Sequence, residues 1–212
     1  MDHANRQWLE TPHLAEEQPA WGRFWHRFQE MSLREKRQMM TGFLRFLWQR
    51  RKIDSREPIV LEAGVDILKK GKGKILIGRG SRVSRGCVLR VGGEGALLSI
   101  GPRVIVGPNT RLMAATQVRI GACSMISWNC SIFDSIGHRM WLERTGQVEI
   151  EAPITIGNDV WIGPYSIIMK GVTIGDNVII GAGSVVRRDV PANSLAYGNP
   201  ARVAGQVDRW ER

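Results

Sequence analysis

From residue 156 an aliphatic side chain returns every six positions, as Ile156, Ile162, Ile168, Ile174, Ile180 and Val186. Glycine follows it at 157, 163, 175 and 181, and Val or Ser stands four after it at 160, 166, 172, 178, 184 and 190. Helix and strand periods do not produce this pattern. A fixed period of this kind is the mark of a solenoid. Each hexapeptide supplies a short strand and a turn, and three of them close a triangular coil. About 18 residues then climb one strand spacing of ~4.8 Å. The aliphatic residue points inward onto its counterpart in the next coil, and the small residue after it lets the chain turn tightly.

The same phase recurs upstream in shorter runs: Ile77, Val83, Leu89; Ile100, Val106, Leu112; and Ile120, Ile126, Ile132. The step from Leu112 to Ile120 is eight, so a two-residue bulge or turn is inserted there. Between Ile132 and Ile156 the pattern is lost over a distance that is a multiple of six. A loop, residues 133–155, must leave the stack and return in phase.

A prism of stacked coils has two open ends, each a row of unpaired backbone groups that needs a cover. Residues 1–57 lack the repeat and are rich in aromatics. Ser32-Leu33-Arg34-Glu35 has the form of a capping box. Behind it Met39, Met40, Phe43, Leu44, Leu47 and Trp48 fall at helical spacing, which predicts a helix over about 33–51. A weaker helix is expected through Trp21, Phe24, Trp25 and Phe28. The expected organisation is a helical extension (1–57), a β-helix with the loop 133–155 (58–190), and a tail (191–212). Pro191 and Pro200 bracket an irregular exit, and residues 201–212 read as a short tail or helix.

The net charge is +10, spread over the chain rather than gathered in a tail. A basic surface favours anionic partners, but no nucleic-acid-binding motif accompanies it, so nucleic acid is not expected. Cys87, Cys123 and Cys130 form no CxxC pair, which suits reduced thiols and a cytoplasmic setting. The N-terminus has no apolar signal core, and no run of 18 apolar residues would span a bilayer. The helix at 33–51 mixes apolar residues with Arg34, Lys36, Arg37, Arg45, Arg50, Arg51 and Lys52, as interfacial helices do. Packing on the prism end or on another subunit is the preferred reading, and peripheral membrane contact the second.

The stretch Ile154-Thr-Ile-Gly-Asn-Asp-Val-Trp-Ile-Gly-Pro, then Gly171-Val-Thr-Ile-Gly-Asp-Asn-Val-Ile-Ile-Gly-Ala-Gly-Ser-Val-Val, then Gly198-Asn-Pro-Ala-Arg-Val resembles the hexapeptide-repeat acyltransferases. Within them it is most similar to the sugar and polysaccharide O-acetyltransferases and the xenobiotic acetyltransferases. The resemblance is dense over 118–204, looser over 75–117, and absent from the first 57 residues. It implies a mainly β fold, a left-handed parallel β-helix. It also implies acetyl-CoA as co-substrate, no metal, and a homotrimer with the cofactor held in the cleft between prisms.

In that family the loop that leaves the stack carries one histidine. Here it contains Phe133-Asp134-Ser135-Ile136-Gly137-His138-Arg139-Met140, and the other histidines, His3, His13 and His26, all lie in the N-terminal segment. The resemblance therefore assigns His138 as general base. An alcohol is too weak an acid to lose its proton unaided at neutral pH, and imidazole, with a pKa of about 6.5, is suited to take it. Backbone N–H groups would stabilise the oxyanion. Either Asp134 or a backbone carbonyl would fix the histidine tautomer.

By the same resemblance Gly181 and Ala182 would face the pantetheine arm, and Trp161, with Gly163 beside it, would wall the thioester end. Arg187, Arg188 and Arg202 would meet the phosphates of coenzyme A. The family often has Thr-Lys where Arg187-Arg188 stands. The fold itself also requires glycines at 163 and 181. Asn109 is a candidate acceptor contact. The expected reaction is O-acetylation of a saccharide or glycan hydroxyl. The rival readings are N-acetylation of an amino sugar and a non-catalytic β-helix scaffold. A γ-type carbonic anhydrase shares the fold but needs three zinc-binding histidines. A serine acetyltransferase would carry a larger helical N-terminal domain.

Overall fold

The six-residue period becomes a left-handed parallel β-helix. The computed structural model describes residues 32, 33, 36, 47–54, 57–144 and 146–211, and the chain divides into two units, Met1–Leu44 and Arg45–Arg212. In the first unit the Lys36 N–H donates to the Ser32 carbonyl at 3.0 Å, the bond of one helical turn. In the second, residues 47–50 are helical. The rest of the helix expected over 33–51, and the one expected through Trp21 and Phe28, lie outside the described residues. No described helix is long and apolar enough to cross a membrane.

The first coil is β1 (Val60–Leu61), β2 (Asp66–Lys70) and β3 (Lys74–Ile77). The second is β4 (Arg82–Val83), β5 (Val88–Gly92) and β6 (Leu97–Ile100), and the third β7 (Ile105–Val106), β8 (Arg111–Ala114) and β9 (Gln117–Ile120). The fourth begins with β10 (Met125–Ile126) and β11 (Ser131–Phe133). It then departs into a hairpin of β12 (Trp141–Leu142) and β13 (Gly146–Gln147) and resumes at β14 (Ile154–Ile156). The fifth is β15 (Trp161–Ile162), β16 (Ile167–Ile168) and β17 (Thr173–Ile174). β18 (Ile179–Ile180), β19 (Val185–Val186), β20 (Ser194–Gly198) and β21 (Ala201–Gln206) close the stack.

Three parallel faces result. Face A runs β1-β4-β7-β10-β15-β18-β20, with β21 added at its end; face B runs β2-β5-β8-β11-β16-β19; face C runs β3-β6-β9-β14-β17. Every aliphatic residue assigned inward by the period, from Ile77 to Val186, is at most 3% exposed. The residues four after them hold the corners. Where they are hydroxyl or thiol side chains they donate to a carbonyl of the next coil, as Ser81 to Gly101 at 2.8 Å, Thr110 to Ser127 at 2.8 Å, Ser124 to Gly157 at 2.9 Å and Ser166 to Gly181 at 3.1 Å, except that Ser184 near the end of the stack donates to Gly181 of its own coil at 2.6 Å. Cys87 and Cys130 occupy the same slot, with Sγ on the Gly107 and Gly163 carbonyls. Burial pushes both thiols up to about 11.

The glycines after the inward residues serve a different purpose from the one expected. Their φ angles are not positive; the left-handed corners fall two positions later, at Asn109, Asn129, Tyr165 and Gly183. A Cβ on Gly163 would lie 2.7 Å from the Ala182 nitrogen of the next coil, and one on Gly157 2.7 Å from the Gly175 carbonyl carbon. These glycines allow coils to approach, not the chain to turn.

Residues 47–54 cover part of the N-terminal end, along β2 and β3. Gln49 accepts from the Ile67 N–H through Oε1 at 3.2 Å, and Lys52 Nζ donates to the Ile67 carbonyl at 2.6 Å. Asp54 accepts from the Ile75 N–H at 2.8 Å and its own N–H donates to the Ile75 carbonyl at 2.8 Å. The free edges of β2 and β3 are thereby occupied. Burial pushes the Asp54 carboxyl up, but the Lys69 ammonium at 2.7 Å and the Ile75 N–H outweigh it and hold it below the usual value.

At the other end the structure departs from the expected irregular exit and tail. β20 and β21 form an antiparallel hairpin on face A. Beyond it Asn177 Nδ2 donates to the Asp208 carbonyl at 2.9 Å, and Trp210 Nε1 donates to the Asp159 carbonyl at 2.6 Å. The segment after β21 thus lies along the corner between faces C and A.

Candidate active site

The excursion leaves the stack at the corner between faces B and C. Its base is closed by the Ala152 N–H donating to the Asp134 carbonyl at 2.9 Å and by an antiparallel bridge between Ser135 and Glu151. Gly137 turns the chain with φ 78°. His138 follows on the exposed stretch 137–144, where Trp141 and Leu142 are more than half exposed. The loop therefore presents an imidazole and an apolar tip outward from the prism.

Asp134 lies at the base of this loop, and its carboxylate is turned inward. It is 1% exposed. It accepts from the N–H groups of Ala115 at 2.7 Å, Thr116 at 2.8 Å and Gln117 at 2.6 Å, and from the Thr116 hydroxyl at 2.9 Å. These residues are the insertion that the eight-residue step from Leu112 to Ile120 predicts. The carboxylate supplies the acceptors the widened corner lacks. Among the described residues no hydrogen bond joins Asp134 to His138.

The other candidate residues lie elsewhere. Trp161 is on face A, half-buried, with Nε1 donating to Ser127 Oγ at 3.2 Å and its ring 5.9 Å from that of Trp210. Gly163, Gly181 and Ala182 lie at the corner between faces A and B. Gly163 is buried against the next coil, and a Cβ on Gly181 would meet the Tyr197 Cβ at 2.7 Å. Arg187 and Arg188 are exposed on the corner after β19, and Arg202 is exposed on β21. Asn109 is an exposed left-handed corner residue with φ 59°. Trp161 with Gly163, Gly181 and Ala182 forms one group on face A and its edge. His138 lies one corner away, on the far side of face B.

Beside the excursion a groove of about 360 Å³ runs along face B, lined in part by Arg90, Met113, Phe133 and Gly137. Arg90, Met113 and Phe133 are outward residues in register on three successive strands. The hexapeptide pattern marks them only as outward positions, so the sequence singled out none of them. Trp210 was missed for a related reason: a lone tryptophan in a tail has no periodic context.

Residues 153–188 match the family described as bacterial transferase hexapeptide (six repeats). Nodulation protein L of Rhizobium meliloti (strain 1021) is 37% identical over 126 residues, covering 50% of this chain and 69% of that protein. Galactoside O-acetyltransferase of Escherichia coli (strain K12) is 39% identical over 115 residues, covering 54% of this chain and 56% of that protein. The chain therefore spans little more than half the length of the second relative. Among solved structures, AntD, an N-acyltransferase from Bacillus cereus in complex with dTDP and 3-hydroxybutyryl-CoA, superposes with a TM-score of 0.61 at 19% identity. That superposition covers 77% of this chain and 88% of that one. Repeat, coil geometry and relatives agree: the chain belongs to the bacterial hexapeptide-repeat transferases.

Proposed function

We propose that the protein transfers an acetyl group from acetyl-CoA to a hydroxyl of a saccharide or glycan, with His138 as general base. The observation that carries this reading is the position of His138. It is the one histidine outside the N-terminal segment, and it stands exposed on the longest departure from the six-residue repeat among the described residues of the stack. In the reaction the imidazole takes the acceptor's proton as its oxygen attacks the thioester carbonyl. The carbon–sulfur bond breaks as the ester forms, and the proton passes to the departing thiolate. Acceptor oxygen, acetyl carbon and sulfur then need to meet within one ternary complex.

Coenzyme A is assigned to Trp161, Gly163, Gly181 and Ala182, with Arg187, Arg188 and Arg202 toward its phosphates. That group and His138 belong to different faces of one prism. A site using both is therefore built with a second copy, and a homotrimer closes it with three equivalent sites. Asn109, on the same edge as Gly163, is assigned to the acceptor. A cytoplasmic setting supplies the co-substrate. The exposure of residues 138–142 supports a loop that reaches a neighbouring subunit.

The test is acetyl-CoA consumption across a panel of sugars, with amino sugars included. His138→Ala should lower turnover by roughly 10²- to 10⁴-fold while leaving the fold intact. Near-normal turnover in that variant would remove the mechanism, and a product acylated on nitrogen would replace O-transfer with N-transfer.

A further inference from the structure

The groove beside the excursion has a composition that narrows the acceptor. Its floor is made by the side chains of Met113 and Phe133, neighbours on β8 and β11. One strand further along, in register with Met113, stands Arg90. Its guanidinium is exposed, and no hydrogen bond or ion pair holds it among the described residues. Lys70 follows at the next strand, opposite Gly92, with its side chain exposed. The one acidic side chain lining the groove is Asp134, and the four hydrogen bonds of its carboxylate go to residues 115–117. It is committed to the corner and leaves Arg90 unpaired.

The walls are open where a ligand would enter. A Cβ built on Gly92 or Gly137 would meet nothing within 4 Å. An apolar floor with one unpaired cation and glycine walls is the arrangement of a site that orients a ligand by a single charged contact. Arginine's planar fork matches the two oxygens of a carboxylate or phosphate.

We propose that this groove is the acceptor subsite and that it takes an anionic saccharide. The sugar's carboxylate or phosphate would pair with Arg90, and its apolar face would rest on Phe133 and Met113. The inference rests on the acetyl-transfer reading above, because it identifies the groove at the foot of the His138 loop with that reaction's acceptor.

Two variants test it. Arg90→Gln removes the charge and keeps hydrogen-bonding capacity. Gly92→Leu adds bulk to the groove at a position where a Cβ meets no neighbour within 4 Å. Glucuronic acid glycosides and sugar phosphates are compared with matched neutral glycosides, both as acceptors and by direct calorimetric binding. The wild-type protein should favour the anionic members by about tenfold or more in kcat/KM, a preference that weakens with salt. Arg90→Gln should bring that ratio close to one, Arg90→Lys should restore part of it, and Gly92→Leu should raise the acceptor KM while leaving the acetyl-CoA KM in place. Whichever of the carboxylate and phosphate series responds more strongly to Arg90→Gln identifies the anionic group. An unchanged ratio in Arg90→Gln, or an unchanged acceptor KM in Gly92→Leu, would overturn the assignment. Binding separates this from the reaction itself. Anionic sugars that bind through Arg90 but are never acetylated would leave the groove standing and remove the transferase reading.

Discussion

At the scale of single residues, Asp134 and His138 are four positions apart and have opposite surroundings. The histidine is exposed, whereas the carboxylate is buried and accepts four hydrogen bonds from a corner that has no other acceptors for them. Asp134→Ala should therefore destabilise the fold by roughly 2–4 kcal/mol, read from urea midpoints. If Asp134 also steers the imidazole, the surviving folded fraction will show a displaced pH–rate profile; a purely structural role leaves the profile where it was. The cysteines supply a second residue-scale prediction. The native thiols of Cys87 and Cys130 stay protonated up to about 11, above the unfolded value of 9.0. Their contribution is complete below pH 9 and is lost as pH rises toward 11. Thermal midpoints should fall across that window, and alkylation of these two thiols should track global unfolding.

Elements show why some of the molecule was legible beforehand and some was not. The inward ladder from Ile77 to Val186 is periodic, and each of its members is buried as the period requires. The eight-residue step at Leu112 and the break after Ile132 were equally plain, because a solenoid displays any departure from its period. What escaped were groups defined by the neighbouring coil. Arg90, Met113 and Phe133 are distant in sequence and adjacent only through strand register. The purpose of the glycines was misread for the same reason, since the atoms that exclude a Cβ belong to the coil above. Gly163→Ala should thus cost roughly 2–3 kcal/mol, because its new methyl meets backbone. Gly183→Asn should cost well under 1 kcal/mol, since that corner is open and left-handed, a conformation Asn tolerates. The tail offers a similar contrast. Trp210→Phe removes the bond to the Asp159 carbonyl and keeps a ring against Trp161. It should cost about 1 kcal/mol, and Trp210→Ala more, with the difference read in denaturation curves followed by tryptophan fluorescence.

For the molecule as a whole, the two ends of the prism set its solution behaviour. Gln49, Lys52 and Asp54 occupy the edge groups of β2 and β3. Gln49→Ala combined with Asp54→Ala should expose a strand edge ready to pair with another chain, and light scattering should detect concentration-dependent association at neutral pH. The Asp54 contribution is present above its ordinary pKa of 3.8 and is lost as pH falls through the lowered native value, so the wild-type protein should begin to show the same association only in acid.

The excursion between β11 and β14 carries a consequence for how such proteins diversify. β14 pairs with β9 and β17 in unbroken register, Thr155 with Arg119 and with Thr173, although a hairpin intervenes in the chain. Lengthening, shortening or exchanging that hairpin leaves every inward side chain in its layer. The segment bearing the imidazole can therefore be transplanted between scaffolds, or drift toward new substrates, at little cost to the prism beneath it. In laboratory evolution, libraries confined to residues 136–150 should keep most of their members folded.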